Sequence, residues 1–486
     1  MSSSVPRLRG FLLALAAVSA LLAQDPGQAE RLYLAGERAY AVKSYQEALD
    51  TWAQVVQSAP KSAFAAQALL SMARYQVEVA HQPEAALPWL DRIKAEHLDT
   101  PWAAEALLMR GRILAARRRP QDLKEAMGEF NRVLDLFPDH PCVQEVRLEL
   151  GNSFRLLDQW GRALQSYLEA VRLDPATAAA RSAQLEAAET LDLMGDTTGC
   201  LRMLQYLRDR APQSAEARDA EWRIQVRVKE RIQKPPLRSQ GPWPDGRQKW
   251  LKTPTLLAIG PGGGLFLYQD DLDQAFRLKD GQLIPAGPPT RAAKALVATP
   301  AGQVWLVTSR QGVVREGAPP IAGVPPLQAP TGAALDPWGN LWLSDAKAPS
   351  LLVVPPEGPA RAVPLAGAAG LAALPGGGMV AASDAAHALV FLDPQGQVRF
   401  TVPYGKDLPA PFKSVLALAA DPLGHVAALV EGDFDGVAVW GPDGALLRSA
   451  TFKSLGLAGR FRAIAMDRQG GLILADRSND QLIRLD

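Results

Sequence analysis

Apolar positions in the first half of the chain recur with helical spacing, and each apolar helical stretch closes on a proline. Pro60, Pro101, Pro138, Pro175 and Pro212 lie 41, 37, 37 and 37 residues apart. From Leu256 onward the pattern changes to short β-like runs separated by glycine turns. There a glycine precedes an apolar strand at Gly264, Gly302, Gly339, Gly378, Gly424 and Gly470, at spacings of 38, 37, 39, 46 and 46 residues. The first period predicts stacked helical hairpins, because one hairpin cannot bury its apolar face alone. The second suits one four-stranded blade per repeat. The predicted fold class is therefore multidomain α + β: an all-α solenoid followed by an all-β, six-bladed propeller.

Alignment on the prolines exposes a packing code. The unit ending at Pro175 carries Gly151, Phe154, Trp160, Ala163, Tyr167 and Ala170, and the first unit carries Gly36, Tyr45, Ala48, Trp52 and Pro60. The small-then-large pairs of the other units are assigned to Ala85 with Trp89, Ala126 with Phe130, and Cys200 with Leu204. A small residue on the second helix lets the first approach, and the large one a turn later fills the gap. Ser62, Thr177 and Ser214 stand where N-caps are expected. This code resembles the tetratricopeptide family over about residues 27–232, in the style of bacterial cell-envelope members. The resemblance implies a groove for a protein partner. Helical phase places Tyr33, Glu37, Arg110, Arg147 and Asn152 in it, with Glu37 and Asn152 in equivalent positions after their glycines.

The charged last helix, from Ala215 to about Gln233, is expected to be a solvent-facing cap, and residues 234–246 a linker. In the second half, Ala333–Asp345 and Ile464–Asp476 share a turn, a glycine and an apolar strand ending in aspartate. These blades resemble the propeller family known for its Asn-His-Leu repeat, over about residues 254–486. The last blade lacks an outer strand, and residues near Gln248 to Thr253 are expected to supply it and remove the open edge. The expected divisions are a signal peptide at 1–23, a helical repeat domain at 27–233, the linker at 234–246 and the propeller at 247–486.

Composition narrows the picture. The net charge of +1 with mixed signs gives no polyelectrolyte signature for nucleic acid. Arg117-Arg118-Arg119 is expected to be a solvated loop. Arg7 and Arg9 ahead of the apolar run Phe11–Leu22 suggest a cleavable signal peptide; no lipobox cysteine follows, and no transmembrane segment is expected in the mature chain. The expected location is the periplasm or outside the cell. The two cysteines, Cys142 and Cys200, are expected to remain free thiols, because the repeat register holds them apart.

Candidate chemistry is sparse. The glycine clusters at 262–264 and 376–378 lack the lysine and helix of a phosphate loop. His387 and His425 lie in different blades without metal-ligand spacing. Asp345, Asp384 and Asp476 end second strands, where a carboxylate caps a turn. The alternative is a ring with Asp270, Asp271 and Asp273, joined by Asp433 and Asp435, that takes a cation or basic partner. No nucleophile with a placed base is found, and no cofactor is expected. The expected function is an exported, non-catalytic scaffold of the bacterial envelope. The alternatives are a metal-dependent propeller enzyme of lactonase or lyase kind with a docking arm, or a propeller that binds carbohydrate or a small ligand.

Overall fold

The computed structural model describes residues 26–244, 250–260, 262–319, 321, 324–356 and 358–486. The expected signal peptide at 1–23 lies outside them. Among the described residues, eleven α-helices are followed by six small antiparallel sheets that form a six-bladed propeller. No helix among the described residues is long and apolar enough to cross a membrane.

The helices follow one another as hairpins: α1 (Pro26–Ala41), α2 (Tyr45–Ser58), α3 (Ala63–Glu78), α4 (Leu87–Glu96), α5 (Trp102–Ala116), α6 (Pro120–Leu136), α7 (Val143–Leu156), α8 (Trp160–Leu173), α9 (Ala178–Leu193), α10 (Thr197–Arg210) and α11 (Ala215–Arg227). Ser62, Thr177 and Ser214 accept hydrogen bonds from the N–H groups of Ala65, Ala180 and Ala217 at 3.1, 3.1 and 3.0 Å, which caps three first helices. The packing code is tetratricopeptide-like. Ala48, Trp52, Ala126, Phe130, Ala163, Tyr167, Cys200 and Leu204 are all buried. Facing them, first-helix glycines leave no room for a side chain. A Cβ on Gly36 would lie 2.4 Å from Trp52, one on Gly111 2.3 Å from Phe130, and one on Gly151 2.4 Å from Tyr167.

One unit departs from the expected register. The buried pair of unit two is Ala86 and Leu90, not Ala85 and Trp89, which lie exposed and half-buried. A 3-10 turn at Pro83–Ala86 opens this helix, and Ala86, Leu90 and Ile93 keep the spacing of Ala48, Trp52 and Val55 but begin 38 rather than 37 residues later. Both cysteines are free and buried, and burial pushes their thiols up, to about 11 for Cys142 and about 12 for Cys200.

Contacts divide the chain into two units, one running to Leu157 and including Gln165–Ala183, the other comprising Asp158–Leu164 and Gln184–Asp486. The later division falls inside α9, between Ala183 and Gln184. Within the second unit, α11 is not a solvent-facing cap. It runs into a π-helical turn, Val228–Gln233, that sets Glu230 against Arg448 at 2.7 Å with both side chains buried. Arg448 also donates to the Gly470 carbonyl at 3.1 Å. Behind Glu230, the fully buried Arg227 holds Asp192 at 2.9 Å and Glu189 at 2.8 Å. Leu237 then enters the core beside Phe461 and Ile464.

In the propeller, interior strands such as Met379–Ser383 and Ala388–Leu392 are buried along their whole length. Neighbouring blades cover both faces of such strands: Val380 and Ala382 pack toward Val426 and Trp440, whereas Met379 and Ala381 pack toward Trp342 and Leu351. This explains why these strands are apolar runs rather than alternating patterns. Among the described residues blade two shows three strands.

Closure differs from the expected strand. The outer strand of blade six is Ser239–Trp243, paired antiparallel with Gln481–Leu485 in the register Pro242–Ile483 and Trp243–Leu482. It falls in the stretch expected to be a linker. Pro242 is tolerated because the strand is outermost and its N–H side needs no partner. Trp250 and Leu251, from the stretch expected to close the ring, instead pack into the core shared by blades one and six; residues 248 and 249 lie outside the described ones.

Candidate binding sites

Two places on the molecule concentrate polar side chains on a fixed framework. The first is a row across consecutive first helices. Ser71 on α3 donates to Glu37 on α1 at 3.0 Å, with the Tyr33 hydroxyl 3.5 Å from the same Oγ. Arg74 on α3 pairs with Glu105 on α5. Arg112 on α5 then reaches Glu145 at 2.7 Å and Glu149 at 2.9 Å on α7. Each link joins one hairpin to the next, and Arg74 and Arg112 keep close to half of their side chains exposed.

The expected groove residues divide over this row. Tyr33 and Glu37 belong to it. Asn152 sits at its end, donating to Glu149 at 3.2 Å and accepting from the Tyr167 hydroxyl at 2.9 Å. Arg147 turns to its own second helix and pairs with Glu169. Arg110 lies elsewhere: its side chain is 13% exposed and is held by Asp91, Glu125 and Glu129 at 2.6, 2.8 and 2.8 Å, all from second helices. Arg74, Glu105, Arg112, Glu145 and Glu149 were not singled out by sequence. Their signal is the repeat itself: Arg74 and Arg112 stand 37 and 38 residues after Glu37 and Arg74, and Glu149 lies one turn before the equivalent Asn152. Of the basic tract, Arg117 pairs with Glu84 at 2.5 Å and Asp122 at 3.1 Å, and Arg119 with Asp122 at 3.6 Å.

The second place is the end of the propeller channel where inner strands begin and second strands finish. Here a cavity of about 270 Å³ is lined by Thr255, Asp270, Lys294, Thr331, Arg462 and Arg477. Asp270 accepts from Thr255 at 3.2 Å and faces Arg477 at 3.4 Å. Further along the same inner strands a second cavity of about 240 Å³ is bordered by Leu257, Leu296, Leu371 and Met466, and the surface it meets is mainly polar backbone.

The carboxylates expected to ring this face lie at the same end of their blades but engage their own turns. Asp345 accepts the backbone N–H groups of Gln328, Ala329 and Lys347 at 2.6, 3.0 and 2.9 Å. Asp476 is fully buried and accepts from Arg460, Ser478, Asn479 and Gln481. Burial opposes its ionisation, but these donors outweigh burial and hold its pKa below the usual carboxylate range. Asp384 accepts from the Tyr404 hydroxyl at 3.0 Å, and burial together with that carboxylate drives the phenol's pKa up. Asp273 accepts from the Ala292 N–H and the Tyr268 hydroxyl, both at 3.4 Å. Asp271, Asp433 and Asp435 are exposed. Of the whole set, Asp270 is the member that lines the cavity.

The histidines have structural settings. His425 is buried with Nδ1 2.7 Å from Asp421, and His387 packs edge-on to Tyr404. Among the described residues no three His, Cys, Asp or Glu side chains gather in a group suited to a metal ion.

No protein-family model matches the chain, and neither does any curated protein. Among solved structures, a gluconolactonase from Xanthomonas campestris is 16% identical and covers 52% of this chain and 94% of its own, with a TM-score of 0.38. A virginiamycin B lyase from Staphylococcus aureus is 13% identical, covering 51% and 98%, with a TM-score of 0.35. PilW, a type IV pilus biogenesis factor, is 17% identical, covering 44% and 92%, with a TM-score of 0.33.

Proposed function

We propose that this chain is an exported, non-catalytic scaffold of the bacterial envelope, whose helical repeats hold a protein partner across the first-helix row. The observation that carries this reading is the row itself. Packed glycine–aromatic contacts fix the backbone of α1, α5 and α7, and along the first helices Glu37, Arg74, Arg112 and Glu149 stand one per hairpin. A periodic set of half-exposed charges on a stacked repeat suits a helix or extended peptide, which has a period of its own. The row adds little to stability, since exposed ion pairs contribute about 0–1 kcal/mol, so its regularity is better explained by recognition. The blade motifs support kinship with Asn-His-Leu propellers, and the propeller offers a second binding face. Export rests on the signal-like first residues.

Capture from native envelopes with the full mature chain tests the reading. A defined protein is retained by the unaltered chain and lost with Arg74→Glu and Arg112→Glu together, at unchanged melting temperature. Equal retention by both chains overturns it.

A further inference from the structure

The propeller channel carries a second recognition chemistry, argued from blades one, two, three, four and six and independent of the helical row. Its mouth sets three cationic side chains, Lys294, Arg462 and Arg477, against one carboxylate, Asp270. Asp270 faces Arg477 at 3.4 Å and is further engaged by Thr255. Lys294 and Arg462 are exposed, and neither has an ion-pair partner among the described residues. They flank Asp270 in the ring, because Arg462 belongs to blade six and Lys294 to blade two, on either side of blade one. Two unpaired cations at the rim of a concave, partly enclosed space attract an anion more strongly than the same charges on an open surface.

The rest of the lining suits a small polar molecule. Each inner strand lies at one end of its sheet's strand order, so one backbone edge lacks a ladder partner and lines the channel. The Thr331 hydroxyl donates to the Ala368 carbonyl at 2.6 Å and lies 3.0 Å from the Ser344 hydroxyl. The volume of about 270 Å³ equals that of roughly nine waters at about 30 Å³ each. That bounds the guest to a small molecule or the tip of a larger one.

We propose that the channel mouth binds a small ligand through an oxyanion, a carboxylate or a phosphate, held by Arg462 and Lys294 with Arg477 released from Asp270 to join them. Guanidinium groups match both oxyanions by paired N–H donors.

Calorimetric titration of the full mature chain with inorganic phosphate and, separately, with succinate, at constant ionic strength, tests this. One or both titrants saturate a single site. Arg462→Gln and Lys294→Gln each weaken that site about tenfold, equivalent to about 1.4 kcal/mol. Arg468→Gln removes the same charge at the opposite end of the same inner strand and leaves affinity within about twofold, about 0.4 kcal/mol. Saturation by phosphate alone assigns a phosphorylated ligand, and saturation by succinate alone a carboxylated one. Failure of both to saturate, or equal weakening by Arg468→Gln, overturns the site. Unchanged melting of the variants separates either result from misfolding.

Discussion

At the residue scale, the molecule is decided by which small residues face large ones. Gly151 lies in α7 with a would-be Cβ 2.4 Å from the Tyr167 ring, whereas Gly128 lies in α6 with nothing within 4 Å. Helix propensity favours alanine at both by about 1 kcal/mol. Overpacking at Gly151 costs about 1–3 kcal/mol and reverses the sign there. Gly128→Ala therefore raises stability in denaturant melts, and Gly151→Ala lowers it. The sequence displayed both partners of this contact, because the repeat register aligns Gly36 with Trp52 and Gly151 with Tyr167. Unit two departs because its length departs: Ala86, Leu90 and Ile93 keep the common spacing but stand 38 residues after Ala48, Trp52 and Val55, where a strict 37-residue period points to Ala85 and Trp89. Asp476 makes a second test. Its pKa is lowered in the folded state, so its contribution to stability is present above the unfolded carboxylate value of about 3.9 and is lost as pH falls through the folded value. Acid unfolding of Asp476→Asn, followed by tryptophan fluorescence, should show a shallower loss of stability below about pH 4 than the unaltered chain.

At the element scale, the π-helical turn after α11 is the least legible feature and one of the most consequential. Its residues look like a charged helix end, and the charges suggest solvent. The structure buries them instead, because Glu230 meets Arg448 from blade five, more than two hundred positions away in sequence. Long-range pairing of this kind leaves no local periodicity. Burial raises the Glu230 pKa, and Arg448 opposes the rise. Removing one member leaves the other charge uncompensated: Glu230→Ala costs about 3–5 kcal/mol. Replacing the pair together, Glu230→Leu with Arg448→Leu, recovers most of that loss in the same thermal or denaturant melt. A double variant no better than the single one would show that the turn is not held by this pair.

At the scale of the whole molecule, both architectures were legible because each repeats: the prolines count hairpins and the glycines count blades. Closure was legible as a need but not as a place. Ser239–Trp243 contains Gly241 and Pro242, residues that belong in a linker unless the strand is outermost. Removing Gln481–Leu485 takes away the strand that joins this outer strand to the rest of blade six. The truncated chain should lose the propeller's cooperative melting transition rather than shift it by a few degrees. The functional account rests on the first-helix row. Its most direct test is site-specific photo-crosslinking in native envelopes, with the crosslinker in turn at Leu34 and Arg112 on first helices and at Gln46 and Lys124, exposed on second helices. The account predicts one adduct of the same mass from both first-helix positions and none from the second-helix positions. Adducts from Gln46 and Lys124, with none from Leu34 or Arg112, would contradict it.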